Sequence, residues 1–152
     1  IPGSTIILGL PGETERDVEL TIDLVERLSP FKSLIVPLFL VAMGGLKDRA
    51  EPSTLERMTP KHSEVFLRCW EHNLDWEPTL FEEWSRMCIR SRVARQGLKL
   101  VFSYGISQGK KLIRKCQKDY EYNLQAMIRD FRTGKIDVTP LPARLMRPLF
   151  AA

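Results

Sequence analysis

The pattern of hydrophobic and polar positions in the first 46 residues predicts a strand, a helix and a second strand. Residues 5–10 form an apolar run of the kind that is buried on both faces of a parallel sheet, and Pro11-Gly12 ends it. Residues 33–43 form a second apolar run, in which Pro37 indicates a bulge or a position near the end of a strand. Two such strands around a helix predict a βαβ unit with a right-handed crossover.

The segment between the two strands carries helix start and stop signals. Thr14 and Asp17, three residues apart, form a capping-box pattern, and Ser29-Pro30 ends the segment. Apolar residues at helical spacing cover one broad face: Val18, Leu20, Ile22, Leu24, Val25 and Leu28. We therefore expect an amphipathic helix that packs on one face of the sheet.

A βαβ unit of this kind needs further strands beside it, because apolar parallel strands are normally flanked on both sides. The remaining sequence offers no other convincing parallel strand, and the chain opens on Ile1-Pro2-Gly3 without an initiator methionine. Both observations predict a carboxyl-terminal fragment. Its first partner would be the missing N-terminal part of the same polypeptide.

The rest of the chain is predicted to be mainly helical. Residues 47–61 follow the Gly44-Gly45 pair and contain charges of both signs and a proline at position 52. This composition is typical of a linker or of a loop that faces an active site. Residues 62–134 have helical periodicity, whereas residues 135–152 contain three prolines and predict a tail. The predicted fold class is therefore α/β followed by mainly α.

Capping signals indicate where the predicted helices begin and end. Helix starts are indicated by Thr59-Pro60 and by the capping-box pattern of Thr79 with Glu82. Helix ends are indicated by Gly97 and Gly134. Residues 98–105 fit a strand and a helix equally well. Residues 112–131 return to helical spacing and predict one helix up to Gly134.

The composition excludes several classes of protein. With 152 residues, 43% hydrophobic and 28% charged, the chain is neither collagen-like, nor of low complexity, nor a disulfide-stapled miniprotein. Its longest apolar run, interrupted by Pro37, is too short for a membrane-spanning helix. Three widely spaced cysteines, Cys69, Cys88 and Cys116, favour a reducing, cytoplasmic compartment.

Sequence patterns for catalysis and for metal binding are weak. Cys69 and His72 lie three residues apart, with His62 nearby, but so few unclustered ligands are more often core or surface residues than a metal site. No metal ligand and no catalytic residue is assigned.

The turn after the first predicted strand is the leading candidate site, because α/β folds bind ligands at the carboxyl ends of their strands. The turn Gly9-Leu10-Pro11-Gly12-Glu13-Thr14 lacks the Gly-Lys-Ser/Thr of a phosphate-binding loop and the spacing of a dinucleotide fingerprint. Its two glycines permit close approach of a ligand to the backbone. A plain strand-to-helix turn is the alternative interpretation.

The sequence Ile6-Ile7-Leu8-Gly9-Leu10-Pro11-Gly12-Glu13-Thr14 resembles the fifth strand and following turn of radical S-adenosylmethionine (SAM) enzymes. The sequence Val36-Pro37-Leu38-Phe39-Leu40-Val41-Ala42-Met43-Gly44 is similar to the sixth strand of members that also carry a cobalamin-binding domain. The resemblance covers about the first 48 residues.

This resemblance implies a fold and a cofactor. The first 46 residues would be the last βα elements of a partial (β/α) TIM-like barrel, followed by a carboxyl-terminal helical region. The complete enzyme would cleave SAM to a 5′-deoxyadenosyl radical, which abstracts a hydrogen atom from the substrate. By resemblance, SAM contacts fall on Ile7, Gly9, Gly12, Glu13, Leu40 and Val41.

The same resemblance implies that this chain lacks the redox centre. The family's Cys-x-x-x-Cys-x-x-Cys, which holds a four-iron four-sulfur (4Fe-4S) cluster, is absent from the 152 residues. The cluster, and the cobalamin of those members that bind it, would belong to the N-terminal part. We therefore expect the chain alone to be inactive.

Charge is strongly segregated along the sequence. Residues 1–85 carry 8 Lys/Arg against 15 Asp/Glu, whereas residues 86–118 carry 10 Lys/Arg and no acidic residue. The ten cations form a candidate surface for an anionic partner: Arg86, Arg90, Arg92, Arg95, Lys99, Lys110, Lys111, Arg114, Lys115 and Lys118.

The basic segment has several interpretations. It suits an anionic membrane or a lipid substrate, and it suits nucleic acid less well. A solvated face, or one that docks on the acidic part of the same protein, is the alternative. The alternative function for the whole chain is that of a non-catalytic basic helical module that binds an anionic membrane or nucleic acid. Membrane contact would make the protein membrane-peripheral.

Overall fold

The computed structural model describes residues 2–40 and 58–136 of the chain. These residues form a mixed α/β fold that is mostly helical, as the sequence predicts. In chain order the elements are β1 (Gly3–Leu8), α1 (Glu15–Leu28), β2 (Leu34–Phe39), α2 (Pro60–Cys88), α3 (Arg92–Asp119) and α4 (Leu124–Arg132). Most of the predicted linker 47–61 and of the predicted tail 135–152 lies outside the described residues.

The predicted βαβ unit is confirmed. β1 and β2 are parallel neighbours, with Gly3 opposite Leu34 and Leu8 opposite Phe39. α1 has the predicted capping box, in which the Thr14 side chain accepts from the Asp17 N–H and the Asp17 carboxylate accepts from the Thr14 N–H at 2.8 Å. Hydrogen bonds from the Thr14 side chain and backbone hold the pKa of the Asp17 carboxyl below its usual value.

The two-stranded sheet is covered on one face, so the prediction of strands buried on both faces is wrong for the described residues. Inward residues of both strands pack with one face of α1 and the start of α2 in a single core: Leu8, Ile35, Val18, Ile22, Val25, Val65 and Cys69. Side chains alternate between the two faces of a sheet. The outward side chains of Ile7, Val36 and Leu38 consequently remain 46–48% exposed.

α2 and α3 are longer than the capping signals predict. α2 begins at Pro60 with Thr59 as its N-cap, as expected, but it continues through Pro78 to Cys88, so the predicted start at Thr79 with Glu82 is wrong. α3 continues through Gly97 and residues 98–105, so the predicted stop at Gly97 is wrong as well. Packing of the two helices as an antiparallel hairpin outweighs these local preferences.

Contacts along the hairpin show how it is held together. The rings of Phe81 and Phe102 stack with centroids 4.5 Å apart. A second core cluster joins α2, α3 and α4, and contains Leu67, Ile113, Cys116, Leu74, Tyr120, Tyr122, Leu124 and Met127. Among residues 2–40 and 58–136, no helix combines the length and apolarity required to cross a bilayer.

The single helix predicted over residues 112–131 is divided in two. α3 ends at Asp119 and α4 begins after Asn123, whose side chain accepts from the Ala126 N–H. Between them Glu121 and Tyr122 have φ of 47° and 64°, and the Tyr122 N–H donates to the Cys116 carbonyl in the last turn of α3. Helical spacing of apolar residues continues across this turn, which is why periodicity alone does not detect it.

Candidate functional site

The turn that follows β1 is a type II β-turn that requires glycine at one position. The Glu13 N–H donates to the Leu10 carbonyl at 3.0 Å, which places Pro11 and Gly12 at the two central positions. Gly12 has a φ of 83°, in the left-handed region that the second central position of this turn demands. The Pro-Gly pair therefore directs the chain from β1 toward α1.

We expect Gly12→Ala to destabilise the protein by about 1–2 kcal/mol, because alanine is strained at positive φ. A matched control exists in α3, where Gly105→Ala should stabilise by about 0.5–1 kcal/mol. An added Cβ meets no atom within 4 Å at either position, so only backbone conformation distinguishes them. Urea unfolding of both variants measures the difference, and equal shifts would contradict the turn geometry.

Glu13 links the turn after β1 to the beginning of α2. Its Oε2 accepts a hydrogen bond from the Gly9 N–H at 2.9 Å and lies 2.8 Å from the Nε2 of His62. The two side chains are only 12% and 17% exposed. This carboxylate therefore holds both the end of β1 and the start of α2.

The surroundings of His62 determine which ring nitrogen carries the proton. The Thr59 backbone N–H donates to Nδ1 of His62 at 3.3 Å. Because Nδ1 accepts there, the neutral ring carries its proton on Nε2 and donates it to Glu13. The sequence pattern does not reveal this pairing, although His62 stands at the third helical position after the Thr59 N-cap, where a capping-box side chain is expected.

A cavity of about 450 Å³ lies beside the Glu13–His62 pair. The first turns of α1 and α2 line it, through Glu13, Thr14, Glu15, Val18, Thr59, Pro60, Lys61 and His62. The N-terminal ends of two helices carry partial positive charge. The threonine oxygens of both capping boxes already accept hydrogen bonds at these ends, whereas Glu13 accepts one from the Gly9 N–H beyond the end of β1.

The structure distributes the predicted SAM-contacting residues over two surfaces. Ile7 lies on the uncovered face of the sheet, and Gly9 and Leu40 follow it at the carboxyl end of the strands, where the Leu40 N–H donates to the Leu8 carbonyl at 3.0 Å. Glu13, by contrast, is directed to α2, and Gly12 belongs to the turn. Val41 lies outside the described residues.

The three potential metal ligands do not form one site. Cys69 is fully buried in the sheet-helix core, His72 lies 3.1 Å from the Ser33 hydroxyl, and His62 pairs with Glu13. Within the described ranges, no group of three or more His, Cys, Asp or Glu side chains is arranged to hold a metal ion.

Four of the ten predicted anion-binding cations are paired within the protein. Lys99 and Arg86 both contact Glu82, at 3.1 and 3.0 Å, and together they hold the pKa of its carboxyl below its usual value. Lys110 pairs with Asp75, and Lys115 pairs with Asp119. The other six make no ion pair with a described residue: Arg90, Arg92, Arg95, Lys111, Arg114 and Lys118.

Comparisons with protein-family models, with curated proteins and with solved structures find no match to this chain.

Proposed function

We propose that this chain forms part of the SAM-binding wall of a radical SAM enzyme, as the last βα elements of a partial (β/α) barrel with a helical extension. The observation that supports it most is the position of Ile7, on the sheet face opposite α1 and α2. In a (β/α) barrel that face lines the interior, and ligands bind at the carboxyl ends of the strands. Gly9 and Leu40 occupy those ends.

The outer edge of β2 is closed at Ile35, which supports its role as the last strand of a sheet. Asn73 of α2 accepts from the Ile35 N–H and donates to the Ile35 carbonyl, both at 2.8 Å. In a parallel ladder alternate residues face alternate edges, and Leu34 and Leu40 face β1. Pro37, which has no N–H, therefore also falls on the closed edge.

The outer edge of β1 is open among the described residues. By the same alternation, Gly3, Thr5 and Ile7 direct their backbone N–H and C=O groups away from β2. An unpaired edge of this kind is a template for another strand. The proposal places the next strand of the barrel, from the N-terminal part of the enzyme, at this edge.

The flank of α1 beside the open edge is also uncovered. Glu19 and Glu26 face α2, where they contact Lys61 and Arg68. Leu24 lies about 160° around the helix from Glu26 and is 41% exposed. An open strand edge and an apolar helix flank on the same side fit a further βα unit packed there.

The cysteines of this chain do not fit the family's 4Fe-4S cluster. Cys69 and Cys116 are fully buried in two different core clusters, and Cys88 is exposed at the end of α2. In the proposal the cluster, and any cobalamin, are held by the N-terminal part. SAM, when bound, supplies the 5′-deoxyadenosyl group, and this chain contributes apolar contact through Ile7 and backbone groups near Gly9.

The proposal is tested on the longer polypeptide. The reading frame upstream of Ile1 should encode Cys-x-x-x-Cys-x-x-Cys. After anaerobic reconstitution of the cluster and reduction, the longer protein should convert SAM to 5′-deoxyadenosine. We expect Ile7→Ala to raise the Kd for SAM about tenfold, through lost apolar contact. Phe31→Ala removes a 63% exposed side chain at the opposite end of the sheet and is the matched control.

Two results would overturn this function. One is an upstream reading frame without the three-cysteine motif. The other is a Kd for SAM that Ile7→Ala and Phe31→Ala change equally, since Ile7 would then have no specific contact with the cofactor.

A further inference from the structure

α3 carries an apolar stripe that faces away from the rest of the described structure. Val93, Leu100 and Val101 are 83%, 73% and 56% exposed. Ile106 and Ile113 lie on the opposite side of the helix and are buried. With 100° per residue, Val93 and Leu100 lie about 120–160° around the helix from Ile106 and Ile113. The stripe therefore has no described partner.

The same face of α3 becomes cationic toward its C-terminal end. Lys111 and Lys118 lie 18 residues, or five helical turns, beyond Val93 and Leu100, so they share the angular positions of those two residues. Arg114 lies about 40° around the helix from Lys118 and about 60° from Lys111. All three cations are exposed, and none forms an ion pair with a described residue.

The chemistry of a partner follows from this arrangement. It must accept aliphatic side chains over the first part of α3 and present negative charge over the last part. The apolar and cationic positions are separated by about 27 Å along the helix axis. Residues 86–118 contain no acidic side chain that would repel negative charge. The surface of an anionic bilayer offers both properties at once.

We propose that the outer face of α3 binds the surface of a membrane that contains anionic lipid. Val93, Leu100 and Val101 enter the boundary between headgroups and acyl chains, while Lys111, Arg114 and Lys118 contact lipid phosphates. A nucleic acid would also attract the cations, but it offers no site for three exposed aliphatic side chains. This inference does not depend on the proposed enzymatic function.

Vesicle cosedimentation of the full chain tests the proposal. The protein should bind phosphatidylcholine vesicles that contain about 30% phosphatidylglycerol much more tightly than pure phosphatidylcholine, with an affinity that falls as salt is added. Lys111→Gln with Lys118→Gln should weaken binding about 30-fold. Val93→Ser with Leu100→Ser should weaken it about tenfold, and this loss should persist at high salt.

A control variant of equal charge change separates surface specificity from net charge. Arg16→Gln with Arg27→Gln removes two exposed cations of α1, which packs on the sheet and α2, and should change vesicle affinity less than threefold. All six side chains that these variants replace are exposed, so we expect each variant to fold. Far-UV circular dichroism and the urea midpoint of unfolding verify this.

Several outcomes would overturn the membrane proposal. One is the absence of binding to anionic vesicles, and another is an equal loss of vesicle affinity in the α3 and α1 charge variants. A third is unchanged vesicle affinity of the Val93→Ser, Leu100→Ser variant. A short DNA duplex in the same buffer distinguishes the other partner: binding to the duplex without binding to vesicles would assign the face to nucleic acid.

Discussion

Replacing Asn73 with alanine should lower the free energy of unfolding by about 2–4 kcal/mol, because two buried backbone groups lose their only described partner. Asn73 pairs with both the N–H and the carbonyl of Ile35, a residue with no exposed surface. Water cannot replace the amide at such a position without opening the core. Urea unfolding measures the change directly.

An exposed amide of similar size provides the control for Asn73. Gln96 lies exposed on α3, and Gln96→Ala should change the free energy of unfolding by less than about 0.5 kcal/mol. If Asn73→Ala were equally mild, the closure of the β2 edge would be energetically unimportant. Asn73 would then not be needed to hold β2 as a terminal strand.

The buried thiol of Cys69 should react with a thiol reagent at least a thousandfold more slowly than Cys88 in the folded protein. Burial raises the pKa of the Cys69 thiol from 9.0 to about 12, and only the thiolate reacts. The higher pKa alone reduces the thiolate fraction about a thousandfold at pH 8. Mass spectrometry of timed samples identifies which cysteine is labelled, and denaturant should make all three react at similar rates.

The same pKa shift predicts how stability depends on alkaline pH. Above pH 9 the unfolded thiol loses its proton while folded Cys69 keeps it, so stability falls as pH rises, by about 1.4 kcal/mol per pH unit, until pH reaches about 12. Cys69→Ala should remove this part of the alkaline slope. Rapid labelling of Cys69, or a slope unaffected by Cys69→Ala, would show that the side chain is not buried as described.

Features that depend on neighbouring residues could be predicted from the sequence. The Thr14–Asp17 capping box, the Pro11-Gly12 turn and the Thr59-Pro60 helix start all act through hydrogen bonds or dihedral preferences within four residues. Strand, helix and strand in the first 40 residues followed from apolar periodicity. Such signals were correct where no distant contact opposed them.

The same local signals failed where long-range packing opposed them. Thr79 with Glu82 resembles a helix start, yet the hairpin contacts of α2 with α3 keep one helix intact through Pro78. Gly97 resembles a helix stop, yet α3 continues through it. Each cap is worth about 1 kcal/mol, which is less than the packing along a helix of this length contributes.

The candidate site shows the same division between local and distant interactions. Glu13 was singled out from its place in the turn, but its partner His62 lies 49 residues away, and no local pattern relates the two. The closure of the β2 edge by Asn73, 38 residues from Ile35, is of the same kind. Only the folded chain brings these groups together.

Charge and apolarity in residues 86–118 were visible from composition, but their arrangement in space was not. Pairing of Lys99 and Arg86 with Glu82, and of Lys110 with Asp75, neutralises part of the charge of the basic segment. The direction of α3 against α2 leaves Val93 and Leu100 exposed on the same face as Lys111 and Lys118. Helices, strands, turns and caps are encoded by residues close to one another in the sequence. Contacts between residues far apart in the chain determine which face of the sheet is covered, which strand edge is closed and which cations lack an acidic partner.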